Sequence, residues 1–385
     1  MIENSRIKLC LLHKLPTPYN DAFFRALHQD HRIDLSVYHL WRGSWRRPWK
    51  SELGSGYPNK YMHLILGIDW KFLWEAWSIP DSFFIVADWG HLVSLAAILA
   101  RYLRKVPVAI WCDTPQEEIP RPWLKKQLRR ILLRWFLPRL DVVFGTGTPA
   151  LNVLEAMGAR SERLVNLPVC VDLDRPLEAR RDSVILAQAQ RLRDSVGCAE
   201  GGIVFSMNGT LVKGKGHDIG LKALAYCNEQ YSGRIGLLVA GEGPERKDLE
   251  RMMTDLHLDG TVNFLGWQEP EEMDAVYLAS DAILHPARYD RFPLVVLETM
   301  SWSKVIIGSD VCGSVQDRVQ HGINGFSFPS EDASTLARIM IDLVSHPDQL
   351  HQIGERARRT AEEWPISRNV EIVLEQAKLV LAQRK

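Results

Sequence analysis

Long hydrophobic runs are missing from this chain. The best of them, Leu92 to Ala100, stops at Arg101, well short of the roughly 18 uninterrupted apolar residues that a membrane-spanning helix needs. No span of the bilayer is therefore expected. The N-terminus, MIENSRIKLCLLHK, places an acid before its first base and has only a short apolar run, so a secretory signal and export are not expected either. Cysteine is sparse: Cys10, Cys112, Cys170, Cys198, Cys227 and Cys312 are scattered with no CxxC pair, as in the reduced, buried thiols of a cytosolic protein. Neither a metal site nor a bound cofactor is expected from them. Net charge is also absent, with 47 basic and 47 acidic side chains. Together with the lack of a nucleic-acid-binding motif, that balance argues against a nucleic-acid partner. The balance is uneven along the chain, because residues 1–180 hold about 25 basic and 18 acidic side chains, and the remainder is acidic to match.

What is present is a chain of 385 residues with 46% hydrophobic and 24% charged residues, enough for two domains with separate cores. Apolar runs at Ile7 to Leu12, Ile33 to Tyr38, Phe83 to Ala87, Val106 to Cys112 and Val142 to Gly145 alternate with helix-length segments. A second series follows at Ile203 to Met207, Ile235 to Ala240, Val262 to Leu265, Ala282 to His285 and Val305 to Gly308. Buried strands alternating with helices predict parallel sheets with helical crossovers, hence an α/β protein of two Rossmann-like, doubly wound units. The charged stretch before Gly201-Gly202 reads as a helical connector. The expected division is therefore 1–175, a connector at 176–201, a second domain at 202–362, and a last helix at 363–385 packing back towards the first domain. Ligands of such sheets bind outside the carboxyl ends of the strands, so two facing sheets would leave one cleft, with a donor on one wall and an acceptor on the other.

The most informative stretch is HPARYDRFPLVVLETM, residues 285–300. Asp290 and Glu298 bracket an apolar turn that would follow a buried strand and open a helix near Leu294. Helix N-termini present unpaired N–H groups that favour phosphate, and carboxylates suit sugar hydroxyls, so the pair points to a nucleotide-sugar. A capping acid plus a solvated helix glutamate is the other reading of the spacing. The stretch resembles the acidic-x7-acidic signature of glycosyltransferase family 4, the retaining sugar transferases of GT-B fold. Phe292, Pro293, Leu297 and Glu298 match its usual form; Asp290 stands for a glutamate and Arg291 for a glycine.

Other segments fall in the family's order over about residues 203–330. The loop Asn208-Gly209-Thr210-Leu211-Val212-Lys213-Gly214-Lys215-Gly216 matches at Gly209, Lys215 and Gly216 but has Thr210 where relatives carry an arginine; Lys213 is the available substitute. Val239-Ala240-Gly241-Glu242-Gly243-Pro244 resembles the strand and turn that follow, and Asn263-Phe264-Leu265-Gly266-Trp267 the loop that contacts the base. Ser309 to Val319 and Gly322 to Phe326 resemble the closing segment near the diphosphate. The resemblance implies that Lys215 and Asp290 act in catalysis and that Gly209, Thr210, Lys213, Gly241, Gly266, Trp267, Phe292, Pro293, Leu294 and Glu298 bind the donor. Glu298 would hold the ribose and Asp290 would lie by the sugar.

Over residues 1–175 the resemblance is thinner. His13, Tyr19 and Asn20, in the Pro-rich segment after the first strand, are candidates for acceptor hydroxyls, with a structural Pro-Tyr corner as the alternative. Asp113 either lies near the donor sugar, where relatives often carry a histidine, or caps a turn before Thr114-Pro115. Residues 38–50 interleave Trp41, Trp45 and Trp49 with arginines, and residues 121–139 place Leu124, Leu128, Ile131, Leu132 and Trp135 on a stripe beside Lys125, Lys126, Arg129 and Arg130. Both compositions suit an anionic membrane surface; an ordinary crossover helix buried on its own sheet would also be amphipathic.

The expected protein is a cytoplasmic, metal-independent, retaining hexosyltransferase, peripherally bound to the inner face of the plasma membrane. It would move a hexose from a UDP- or GDP-sugar to a glycolipid or polysaccharide precursor of the cell envelope. Two rivals share the fold: a nucleotide-sugar 2-epimerase, which needs no acceptor, and a catalytically weak scaffold subunit, which the departures at Thr210 and Asp290 would favour.

Overall fold

A computed structural model describes residues 6–42, 53–79, 81–87, 89–113, 123–199 and 201–383. The chain forms two compact units, residues 1–170 with 366–385, and residues 171–365.

The first unit opens with β1 (Ile7–His13), helix α1 (Pro18–Gln29), β2 (Ile33–His39) and β3 (Asn59–Tyr61), followed by α2 (Trp70–Ser78) and β4 (Ser82–Val86). It continues through α3 (Leu92–Leu103), β5 (Val108–Cys112), α4 (Trp123–Phe136), β6 (Val142–Gly145), α5 (Thr148–Ala156) and β7 (Leu164–Asn166). Every pairing is parallel, in the order β3-β2-β1-β4-β5-β6-β7. Strands such as β4 and β5 are buried along their whole length, as expected where helices cover both faces of a parallel sheet. Local chemistry sets the helix starts. Pro18 sits in the first turn of α1 behind Thr17, whose hydroxyl accepts from the Asn20 N–H, and Asp69 caps α2 through the Phe72 N–H (3.0 Å), each satisfying an orphan donor. Arg101, which ends the longest apolar run, is fully buried and donates to the carbonyls of Ile79 (2.6 Å) and Pro107 (3.0 Å), tying the end of α2 to the sheet.

The second unit contains α6 (Arg175–Ala179), α7 (Ser183–Asp194), β8 (Ile203–Asn208), α8 (His217–Gln230), β9 (Ile235–Ala240), α9 (Arg246–Asp255) and β10 (Val262–Gly266). After these come α10 (Pro270–Ala279), β11 (Ala282–His285), α11 (Leu294–Ser301), β12 (Val305–Ser309), α12 (Gly313–Arg318), β13 (Phe326–Phe328), α13 (Ala333–Ser345) and α14 (Pro347–Glu362). Its sheet is again parallel throughout, ordered β10-β9-β8-β11-β12-β13. The last helix, α15 (Ile366–Ala382), returns to the first unit, where Val370, Val373, Leu374 and Ala377 join the core beneath β1 and β4.

The stretch 176–201, expected as a connector, belongs to the second unit instead. Arg175 pairs with Asp274 (2.7 Å) and Arg193 with Asp281 (3.0 Å), while Ala189 and Val196 pack on Val204 and Leu238. The charges taken as signs of a linker are the outer rims of helices whose apolar sides cover the sheet. Accordingly the first unit ends at Cys170 rather than at 175, and the second runs to Pro365 rather than 362.

Candidate donor site

In each sheet the strand order reverses direction beside its first strand, and in the second unit that switch point lies between β8 and β11. Crevices form there because the loops leaving the two strands diverge. The loop after β8 and the loop after β11 therefore meet, although Lys215 and Asp290 lie 75 positions apart in sequence. Their backbones touch directly. Gly216 is left-handed (φ 68°), and a Cβ there would fall 1.9 Å from the Pro286 carbonyl oxygen. Gly241 likewise lies against the Gly209 carbonyl, 1.9 Å from where a Cβ would stand. Both positions require glycine for packing as well as for φ.

The Lys215 ammonium is ion-paired with the Asp290 carboxylate, and the buried His285 donates from Nε2 to the same oxygen, Oδ2, at 3.1 Å. Oδ1 has no hydrogen bond among the described residues, which leaves an acceptor position open beside a fixed cation. Burial alone would raise the Asp290 pKa, but the bond from His285 and the Lys215 charge overcome it and hold the carboxyl at about 2. His285 moves the other way, lowered by burial against the pull of Asp290. Helix α11 starts at Leu294 behind Pro293 with no side-chain cap, and α8 starts behind Gly216, also without one, so backbone N–H groups at these starts remain available for an anion. Phe292 is half-buried beneath the Arg318 guanidinium (5.4 Å).

Glu298, one helical turn into α11, has its own partners. The Tyr277 hydroxyl of α10 donates to it at 2.9 Å, and the Tyr277 ring stacks on Trp302 (5.4 Å between centroids). Burial raises the Glu298 pKa, against the Tyr277 hydrogen bond and the Arg175 charge, and burial beside the Glu298 charge raises that of Tyr277 well above its usual value. The two carboxylates thus occupy separate networks on one loop–helix segment. Thr210 and Lys213 are exposed. Arg288 does not replace the arginine missing at 210, because its guanidinium is bidentate on Asp218 (2.7 and 2.8 Å) and binds the Lys213 carbonyl (2.9 Å). Trp267 donates from its indole to Glu269 (3.0 Å) beside Gly266.

In the first unit two of the candidate acceptor residues, His13 and Asn20, are already engaged with one another. His13 donates from Nδ1 to the Leu15 carbonyl (2.8 Å), so its Nε2 accepts from Asn20 Nδ2 (2.8 Å). Tyr19 and Asn20 lie in the first turn of α1, not in a loop, and Asn20 is buried. Sequence reading missed the polar group beside them. Asp21 accepts from the Tyr57 hydroxyl (2.7 Å) and the Gly54 N–H (2.5 Å), and Tyr57 lies 3.4 Å from the buried His39. No local motif marks these residues; they meet because the segment leading into β3 runs beside β2, next to α1. Asp113 is exposed at the end of β5, and Thr114-Pro115 lie outside the described residues. Asp172 to Asp174 form an Asp-x-Asp triplet in which Asp172 accepts the N–H groups of Asp174 (2.9 Å) and Arg175 (3.4 Å) at the start of α6. Among the described residues no three His, Cys, Asp or Glu side chains gather as a metal site, and all six cysteines are free and buried.

Two buried histidines make acid stability a direct probe of these clusters. Burial lowers His217, at the start of α8, from 6.5 to about 4, helped by His285 and Lys215, and lowers His39 to about 3. Below pH 6.5 the unfolded chain takes up protons that the folded chain does not, so stability falls with falling pH, at up to roughly 1.4 kcal/mol per pH unit per histidine. For His217 that loss spans pH 6.5 to about 4. Urea unfolding across this window will show a shallower slope for His217→Asn; an unchanged slope means that His217 is protonated in the native protein.

Residues 188–360 match the family model of glycosyl transferases group 1. That stretch, most of the second unit, belongs to this family, and its Gly-rich loop and α11 segment are those just described. The chain is 28% identical over 241 residues to a D-inositol 3-phosphate glycosyltransferase of Rhodococcus erythropolis, covering 61% of this chain and 52% of that protein. It is 32% identical over 127 residues to the N-acetyl-alpha-D-glucosaminyl L-malate synthase of Bacillus anthracis, covering 33% of this chain and 32% of that one. The chain thus spans about half the length, or less, of the curated relatives it matches. Its fold is that of Anabaena HepE in complex with UDP and glucose (TM-score 0.75, 17% identity, 97% of this chain and 100% of that one). The lipopolysaccharide outer core galactosyltransferase WaaB shares it as well (TM-score 0.68, 14% identity, 96% and 99%). The architecture is therefore GT-B.

Proposed function

We propose that this protein transfers a hexose from a UDP- or GDP-sugar to a glycolipid or polysaccharide precursor in cell-envelope glycan synthesis, with retention of configuration and without a metal ion. The observation that carries the reading is the Lys215–Asp290–His285 network, which joins the Gly-rich loop to the start of α11 at the switch point. Departure of a nucleoside diphosphate builds negative charge on its phosphates. Lys215 and the uncapped N–H groups of α8 and α11 would stabilise that charge in place, with little reorganisation as it develops. Asp290, kept ionised, would use its open Oδ1 for a sugar hydroxyl, orienting the donor for front-face attack. Glu298 would hold ribose hydroxyls, with Tyr277 fixing its orientation. HepE with UDP and glucose, and the glycosyltransferases among the relatives, support a nucleotide-sugar donor.

Incubating the protein with each nucleotide-sugar, with and without a lipid-linked oligosaccharide acceptor and with EDTA, tests the reading. Transfer that survives EDTA and keeps the anomeric configuration is expected. A donor epimerised in the absence of acceptor would identify a 2-epimerase, and loss of transfer in EDTA would contradict the metal-free step.

Attachment to an anionic membrane surface is part of the same proposal. In α4 the residues facing the core are Leu133 and Phe136, followed by Leu137, whereas Ile131, Leu132 and Trp135 of the expected stripe are exposed. The helix thus carries a second apolar stripe beyond the one its sheet consumes. Trp41 is exposed with Lys14 over its ring (5.5 Å); residues 43–50, with Trp45 and Trp49, and the side chains of Leu124, Lys125, Lys126, Leu128 and Arg129 lie outside the description. No helix among the described residues is long and apolar enough to cross a membrane. Sedimentation with anionic vesicles at low salt is expected, with release as salt rises, each Lys or Arg near the surface contributing about 1 kcal/mol. Equal partition to neutral and anionic vesicles would contradict it.

A further inference from the structure

The first unit carries an apolar face that the donor site does not use. Helix α2 buries Phe72 and Ala76 and turns Trp70 and Trp74 outward, each 69% exposed. Contacts through α3 lead from it to α4. Arg104 lies over the Trp77 ring (5.2 Å), linking α2 to the end of α3, and Tyr102 of α3 meets Trp135 of α4 edge-on (5.6 Å). Between α3 and α4 lies a cavity of about 320 Å³ with almost wholly apolar walls, among them Leu95, Leu99, Leu132 and Phe136, and Arg139 also lines it. Exposed apolar surface of this extent marks a contact site, and the volume is that of a small ligand pocket.

Charge selects the occupant. Residues 92–112 and 121–140 contain ten Lys and Arg and no Asp or Glu. Apart from the buried Arg101, the described cations of α3 and its C-terminal end, with those of α4, are exposed, and Arg139 stacks on Trp135 (4.8 Å). A second copy of this chain would bring like charges together across the contact. The acids at α2 are taken up locally, Glu75 by Lys60 (3.3 Å) and Asp69 by the N-cap bond from the Phe72 N–H, so tryptophans beside the cations of α3 and α4 instead match the headgroup layer of an anionic bilayer. We propose that the α2–α3–α4 face is a lipid-docking site, with Trp70 and Trp74 seated at the interface and one alkyl chain of a phosphate-bearing lipid entering the cavity beside Arg139. The inference rests on the membrane-surface part of the reading above and is independent of the donor site.

Dodecyl phosphate, kept below its micelle concentration, tests the cavity apart from any membrane. By calorimetry it will bind the wild-type protein far more tightly than inorganic phosphate does. Ala96→Phe and Leu99→Trp, which fill the cavity from α3, will weaken it by roughly tenfold or more, the loss expected when a few methylenes are displaced. The double variant Trp70→Ser/Trp74→Ser will keep dodecyl phosphate binding but lose most of its sedimentation with phosphatidylglycerol vesicles. Circular dichroism checks that each variant is folded, and the two cavity variants stand in for each other if one is not. Binding of dodecyl phosphate no tighter than inorganic phosphate, or unaffected by the folded cavity variants, overturns the cavity assignment even where vesicles still bind. Failure to bind vesicles overturns the membrane reading itself. A dimer that Trp70→Ser/Trp74→Ser dissolves, with no lipid binding, overturns the proposal and gives the face to a second copy.

Discussion

Replacing Lys215 with alanine will lower kcat by about 10²–10³, the usual loss when a preorganised donor to a developing anion is removed. The ammonium is held on Asp290 in a half-buried position at the meeting of two loops, so it is already in place before charge builds on the departing diphosphate. Its loss should fall on turnover more than on affinity, because the charge it meets is larger in the transition state than in the bound donor. Hydrolysis of the donor in the absence of acceptor should fall in parallel, since both reactions break the same sugar–phosphate bond. Lys213, exposed on the same loop, should matter much less. A Lys215→Ala protein with unchanged circular dichroism that keeps more than about a third of kcat, far outside that range, would reduce the loop to a structural turn.

Glu298→Ala is expected to weaken nucleotide binding by about 1.5–3 kcal/mol, the range for charged hydrogen bonds. The truncation removes the carboxylate and also the acceptor to which the Tyr277 hydroxyl donates. Tyr277→Phe separates the two effects. It keeps the ring on Trp302 and leaves Glu298 ionisable, so its loss of affinity should be the smaller. Titration of free UDP and GDP into both variants measures this directly, and equal affinities for wild type and Glu298→Ala would remove Glu298 from the ribose.

Most of the fold was legible because its strands are continuous apolar runs, and ten of the thirteen strands among the described residues follow from them. The three missed, β3, β7 and β13, are edge strands of three residues each. A segment that short gives no periodicity, and pairing with one neighbour on one side leaves little pressure for an apolar sequence. The connector at 176–201 failed for a related reason: Arg175 and Arg193 look like linker charges until Asp274 and Asp281, far along the chain, supply their partners. In the candidate site, Lys215, Asp290 and Glu298 stood out through local spacing. His285, Tyr277 and Arg288 did not, because each acquires its place only when strand order brings β11 beside β8 and α10 beside α11.

The central claim is that the second unit holds a nucleotide-sugar. Isothermal titration of UDP, GDP and a panel of their sugars into the wild-type protein tests that claim most directly. At least one nucleoside diphosphate and its sugar should bind, and Glu298→Ala should bind them more weakly by the margin above. A folded wild-type protein that binds none of them would contradict the account and leave a GT-B scaffold in its place.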